Sequence, residues 1–212
     1  MTDITHILQS HFQLKNREVV REIAATAKFE QVKRGKLVAE VGQQQHSLCI
    51  LEKGILRGYL ITPDGRDITD CFLYRMGDVI IGCNELNTPS LINIETLRDC
   101  EIWRIPVPTV QRLMLAYPEV TRIYLAYLAN ASVRHWELKI LMYQCSAMQR
   151  YQWFLRTYPD LPKGIRGKHV ASYLGMNPVT LSRLKKKLDA AKTVKQGQEE
   201  GVWGGVHETA TV

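Results

Sequence analysis

The spacing of the apolar residues changes twice along this chain, and no single-class fold accommodates both changes. Over residues 4–28 the apolar positions Ile4, Ile7, Leu8, Val19, Val20, Ile23, Ala24 and Ala27 fall at helical spacing, which predicts short N-terminal helices. From Phe29 the period becomes two. The runs 36–41, 47–52, 55–62, 67–73 and 92–105 are rich in β-branched and aromatic residues, and Gly35, Gly42, Gly54, Gly65 and Gly77 punctuate them. That pattern predicts strands joined by tight turns. In Pro63-Asp64-Gly65 the proline fixes φ, the aspartate caps its own backbone and the glycine accepts positive φ. Several short strands with such turns predict an antiparallel jelly roll, which Pro106 and Pro108 bring to an end.

A second helical region follows. After Pro118, the residues Val120, Tyr124, Tyr127, Ala131, Leu138, Leu141 and Cys145 keep a 4-3 spacing that only Arg134 breaks. A helix over 118–145 would be about 42 Å long at ~1.5 Å per residue, longer than a small roll covers. The expectation is a dimerisation helix covered by a partner helix; a helix packed between two domains of one chain is the alternative. Ser146-Ala-Met-Gln149 has the form of a capping box, which predicts a further helix through Tyr151, Trp153, Phe154 and Leu155 that Pro159 stops. The expected units are a β-roll with flanking helices over 1–117, the long helix over 118–145, and a C-terminal domain over 146–212.

Charge is distributed unevenly over these units. Residues 1–106 carry 13 Lys and Arg against 14 Asp and Glu, residues 107–212 carry 15 against 7, and the stretch 163–195 carries nine against Asp189 alone. A near-neutral unit joined to a compact basic one fits a protein that binds a polyanion; a solvated basic face without a partner is the other reading. The 212 residues, 45% of them apolar, suffice for a packed core and exclude disorder and collagen-like structure. No uncharged apolar run approaches the ~18 residues of a membrane span, and the first residues lack the basic start and apolar block of a secretion signal. Cys49, Cys71, Cys83, Cys100 and Cys145 form no CxxC pair, so reduced thiols in the cytoplasm are expected rather than disulfides or a zinc site.

The stretch from Lys168 to Lys187, KHVASYLGMNPVTLSRLKKK, carries the most information. It reads as a short helix, a turn at Gly175, and a second helix with Asn177 as N-cap and Pro178 at its first position. Ala171, four residues before the glycine, leaves room for two helices to cross at about 90–120°. Val170, Leu174, Met176, Leu181 and Leu184 lie at core spacing. Val179, Thr180, Ser182, Arg183, Lys186 and Lys187 then face outward. A helix-turn-helix sets such a face into the major groove of double-stranded DNA, with flanking cations, Lys168 among them, on phosphates. Arg183 is the candidate for a bidentate contact to guanine.

In this order of parts the sequence resembles the Crp/Fnr superfamily of bacterial transcription regulators. Gly35-Lys-Leu, Gly42, Leu51-x-x-Gly54, Gly65 and Gly77-Asp78-Val-Ile-Ile-Gly82 are similar to that family's cyclic-nucleotide-binding-type β-roll, and Arg150-Tyr151 with Thr180-Leu-Ser-Arg183 to its DNA-binding domain. The resemblance implies an α+β fold: an antiparallel sensor β-roll, a long dimerisation helix and a winged-helix-type helix-turn-helix domain. It implies a homodimer whose sensor binds a small-molecule effector and reorients the recognition helices. Effector contacts would fall on Gly82, Cys83, Asn84, Glu85, Leu91 and Asn93, with Tyr124 and Tyr127 from the long helix.

Three departures from the family pattern matter. Members that bind cyclic AMP carry an Arg-Ser or Arg-Thr after their Gly-Glu, where Arg neutralises the phosphate; here no Arg lies between Arg75 and Arg98, so cyclic AMP is disfavoured. The clustered N-terminal cysteines of the iron–sulfur members are absent, and Cys71, Cys83 and His46 read better as core or surface residues than as haem ligands. Residues 189–212, rich in Gly, Gln, Glu and Ala, do not read as the usual two-stranded wing, and Val179 stands where the family commonly has an acid. The last departure keeps a second function open, a small-molecule-binding signalling module without sequence-specific DNA binding.

Other signals are weaker. Gly164-Ile-Arg-Gly167-Lys168 has phosphate-loop and KH-loop features, but it is too short for the first and its neighbours are wrong for the second. Asp64, Asp67 and Asp70 fall at turn or strand positions. No His-Glu-x-x-His or Gly-x-Ser-x-Gly occurs, so no enzyme or metal site is expected, and the sequence leaves any cofactor unknown.

Overall fold

The computed structural model describes residues 3–83 and 85–202, with side chains described throughout except at Pro162 and 191–202. A helical N-terminus, α1 (Ile4–His6) running on through one π-type turn (Ile7–His11), and α2 (Arg17–Thr26) precede the strands. Asn16 caps α2 by accepting from the Glu18 and Val19 amides. Eight strands follow: β1 (Lys28–Val32), β2 (Leu37–Ala39), β3 (Ser47–Lys53), β4 (Leu56–Ile61), β5 (Asp67–Leu73), β6 (Val79–Ile80), β7 (Asn93–Thr96) and β8 (Cys100–Pro106). They form two antiparallel sheets, β1-β8-β3-β6 and β2-β7-β4-β5. Between the sheets lies a dry layer that includes Cys49, Leu51, Leu56, Ile80, Ile94 and Ile102, all at most 2% exposed.

The run expected as one strand over 92–105 is two, because Leu97-Arg98-Asp99 turn the chain from one sheet to the other. Two structured ends hold this turn. The Leu97 and Arg98 amides donate to the Ile55 carbonyl, and Asp99 accepts from the Arg34 amide and from Lys33 Nζ. A period-two apolar pattern runs through such a corner unbroken, so alternation alone does not reveal it.

After the roll come α3 (Val107–Ala116), α4 (Pro118–Gln144), α5 (Ala147–Thr157), a 3-10 turn over Leu161–Lys163, α6 (Gly167–Tyr173) and α7 (Pro178–Val202). The capping box forms in full: Ser146 accepts from the Gln149 amide and Gln149 reaches back to the Ser146 amide. In α4 the apolar stripe read from the sequence turns inward on its own chain. Val120, Tyr124 and Tyr127 pack with α1, α2 and α3 on the outer face of one sheet, and Leu138 packs with the C-terminal helices. A different set, Leu125, Val133, Trp136, Ile140 and Tyr143, is left exposed on α4.

The C-terminal helices share a core with the other sheet. Phe154, Leu161, Val170, Ala171, Leu174 and Leu181 are at most 2% exposed and pack with Ile55 and Phe72 of the roll. β5 is an edge strand, and α6 covers that edge. The Thr69 amide donates to Ser172 Oγ at 2.9 Å, and Ser172 donates to the Asp67 carbonyl at 2.9 Å. The expected tail over 189–212 is in part a continuation of α7, which runs to Val202; residues 203–212 lie outside the described residues. No strand follows α7 among the described residues.

Candidate functional site

Two regions carry chemistry, a basic helix face and a cavity beneath the long helix. The first is built by a turn. Gly175 adopts φ +60, a left-handed conformation that glycine enters without strain, and a Cβ there would meet Met142 Sδ at 2.9 Å. The turn is therefore seated on the end of α4. Arg150 pins the same junction, donating to the Met142, Cys145 and Gly175 carbonyls at 3.4, 3.3 and 3.5 Å. Asn177 caps α7 by accepting from the Thr180 amide at 2.7 Å. Leu181 is buried against α6, which turns Val179, Ser182, Arg183, Lys186 and Lys187 outward on one face, with Thr180 half-buried beside them. Lys168, near the start of α6, is exposed. Among the described residues none of Lys168, Arg183, Lys186 and Lys187 is in an ion pair. The arrangement presents, along one helix face, cations that are in no ion pair among the described residues, which suits phosphate and base-edge contacts.

The second region is a cavity of about 280 Å³ between β5, the segment after β6, and α4. Of the residues that the resemblance pointed to, Gly82, Cys83, Leu91 and Tyr127 line it. Asn84 lies outside the described residues. Glu85 is exposed, and its carbonyl accepts from Cys83 Sγ and from Thr88 Oγ1. Asn93 turns to the other side, accepting from the Val41 amide at 3.0 Å. Tyr124 lines a separate apolar crevice with Leu8, Phe12 and Ile123.

The loop between β6 and β7 closes on itself. Its Gly82 amide donates to Gln45 Oε1 at 3.0 Å and its Leu91 amide to the Gly82 carbonyl at 2.7 Å. Ser90 Oγ donates to the Ile92 carbonyl at 2.6 Å. Those donors are engaged within the protein, and the loop brings no cation to the cavity.

The cation comes from α4 instead. Arg134, the residue that interrupts the sequence stripe, lines the cavity beside His135, and no carboxylate pairs with it among the described residues. Its interruption of an otherwise apolar stripe was the one sequence signal for this role. Asp70, 4.0 Å from His135 Nδ1, and Cys71 come from β5. Burial pushes the Cys71 thiol up to about 12, so it is neutral. Burial likewise raises Tyr127, whose hydroxyl donates to the Val79 carbonyl at 3.2 Å. At the far end the Tyr158 and Tyr173 hydroxyls meet at 2.9 Å among Phe72, Trp153 and Phe154. Of the residues weighed as haem ligands, Cys71 and Cys83 share this cavity, while His46 is exposed and does not line it. No cluster of three or more potential metal ligands occurs among the described residues, and no helix there is long and apolar enough to cross a membrane.

Residues 29–117 match the family model of the cyclic nucleotide-binding domain. No curated protein matches the chain in sequence. Among solved structures the chain is similar to FixK2 from Bradyrhizobium japonicum, with TM-score 0.70 at 18% identity over 78% of this chain and 86% of that one. It is similar to a transcriptional regulator assigned to the Crp/Fnr family from Eubacterium rectale, with TM-score 0.67 at 19% identity over 89% and 88%. The c-di-GMP responsive global regulator CLP of Xanthomonas campestris gives TM-score 0.67 at 14% identity over 84% and 93%. At these identities the likeness establishes the fold: an antiparallel cyclic-nucleotide-binding-type β-roll followed by a long helix, in an α+β chain.

Proposed function

We propose that this chain is a homodimeric transcription regulator. It binds a two-fold DNA operator through α6 and α7, under control of an effector held in the roll. The observation that carries this reading is the cationic face of α7, unpaired among the described residues and seated through Gly175 and Arg150 on the end of α4. Regulators among the similar structures support it. Residues 1–117 then act as the sensor, 118–145 as the dimerisation helix and 146–212 as the reader. The exposed set Leu125, Val133, Trp136, Ile140 and Tyr143 on α4 supplies the seam for a second copy, because an apolar helix face of this length is buried at low cost by its own two-fold mate. The effector is not cyclic AMP, since the loop over 82–93 offers a phosphate no cation and its amides are engaged. Arg134 and His135 favour an effector with an anionic group on the α4 side. The chain acts by binding, not by catalysis, and in the cytoplasm.

Selection of genomic DNA fragments at several salt concentrations tests this. A short palindrome with half-sites about 10–10.5 bp apart is expected, with Arg183→Ala erasing sequence preference and Lys186→Ala weakening all sequences alike. If neither substitution matters, the alternative stands: a signalling module that senses a small molecule without reading DNA. The run of α7 to Val202, where a wing would be expected, is the observation that favours that alternative. Trp136→Glu/Ile140→Glu is expected to convert a dimer to a monomer in sedimentation analysis.

A further inference from the structure

The motif Gly164-Ile-Arg-Gly167-Lys168 enters the regulator reading only through Lys168 at the start of α6, yet it forms one wall of a second cavity of about 680 Å³. The facing wall is the outer surface of the roll. Gly164 allows the two walls to meet: a Cβ there would fall on Ile55 Cδ1 and come within 3.5 Å of Arg98 Cζ. Five cations open on the cavity, Arg34 and Arg98 from the roll and Lys163, Arg166 and Lys168 from the motif side. None of the five is in an ion pair among the described residues. The two carboxylates in the wall, Asp67 and Glu95, are both occupied by Arg57 at 2.7 Å. Charges of one sign gathered around a concavity focus the potential on it, whereas a solvated basic face spreads them over a convex surface.

The second observation is on the floor. His169 lines the cavity and is 6% exposed, and its ring makes no hydrogen bond among the described residues. The ring nitrogens keep access to the solvent of the cavity, and a neutral imidazole offers one donor and one acceptor there. The unpaired ring and the five unpaired cations lie in one cavity of a size that ordinary ligands fill.

We propose that the cavity between the roll and residues 163–169 binds a small polyanion carrying two or more phosphate groups. Arg98, Lys163 and Arg166 hold its phosphates and the His169 ring supplies the inner hydrogen bond. A duplex presents its phosphates on the outside of a convex rod, so it reaches the rim cations but not a histidine buried on the floor. A small polyanion reaches both. Bound there, it bridges the roll and the loop that enters α6.

Calorimetric titration of the full chain, without DNA and at physiological ionic strength, uses inorganic tripolyphosphate and ATP as probes and orthophosphate for comparison. Saturable one-site binding of tripolyphosphate is expected, weakened at least about tenfold in Arg98→Gln/Lys163→Gln. Arg17→Gln/Arg21→Gln, which removes the same charge from exposed positions on α2, is expected to leave binding within about twofold. The His169 ring signals shift on saturation in the NMR spectrum. The proposal is overturned if binding does not saturate, if both double variants lose affinity equally, or if the His169 signals stay in place. It is also overturned if duplex DNA displaces tripolyphosphate with the same residue dependence, which would make the cavity part of a DNA surface. Because no DNA enters the titration itself, failure of the regulator reading leaves its outcome unchanged.

Discussion

Arg57 is the most demanding polar group in the roll, and its removal is expected to be costly in a calculable way. The residue is 3% exposed, and its guanidinium donates to Glu95 at 2.7 Å, to both Asp67 oxygens at 2.7 Å, and to Thr69 Oγ1 at 3.0 Å. Removing one member of a buried ion pair costs about 3–5 kcal/mol, because the partner charge stays behind. Here the partners can rehydrate in part, with Glu95 and Asp67 side chains 22% and 41% exposed, which lowers the expected loss for Arg57→Met to about 2–3 kcal/mol. In a chain of this length the melting temperature should fall by about 5–10 °C. Urea unfolding followed by circular dichroism measures the loss, and Arg57→Met/Asp67→Asn/Glu95→Gln should recover about 1 kcal/mol or more because no charge is stranded. The acid dependence has a definite sign. Arg57 holds the Asp67 carboxyl below its ordinary 3.8, so the pair's contribution is complete above that value and is lost as the pH falls through the depressed native one. A loss under about 1 kcal/mol at neutral pH, or no recovery in the triple variant, refutes the reasoning.

Gly175→Ala places a Cβ 2.9 Å from Met142 Sδ at φ +60 and should cost about 1–2 kcal/mol in thermal unfolding, while a neutral result would mean that the turn does not rest on α4. Ser146→Ala removes one half of the capping box and should cost about 1 kcal/mol, read from the same melts. His169 is pushed down to about 4, first by burial and then by Arg57 and Lys168. The unfolded chain takes up this proton below its ordinary 6.5, so native stability should be complete above that pH and decline toward 4; an NMR titration midpoint near 6.5 would contradict it.

The sequence reveals the elements of this fold better than their faces. The switch of period at Phe29, the glycine-marked turns, the Ser146 capping box and the Asn177 cap are local signals, and local signals survive in one dimension. The corner at Leu97-Arg98-Asp99 is not legible, because both sheets bury alternate residues and the alternation passes through it. On α4 two apolar faces coexist. The more regular one, from Val120 to Leu138, is used by the chain's own roll and C-terminal helices, which leaves the less regular one with Trp136 and Ile140 outside. Glu85 is exposed, Asn93 accepts from the Val41 amide and Tyr124 lines the separate crevice, placements that position along a motif does not reveal. Arg134 was visible as an interruption whose meaning needed the third dimension.

The hydrogen bonds between β5 and α6 have a mechanical consequence. A sheet edge left bare offers its amides and carbonyls to any passing strand. In this chain α6 is the cover for β5, through Ser172. Lifting α6 away would expose that edge and uncover Phe72 beneath it, so full separation carries an aggregation hazard that a rotation about Ser172 does not. Moving α6 off the sheet breaks both Ser172 hydrogen bonds together, so a large displacement of the C-terminal helices is opposed by the sheet itself.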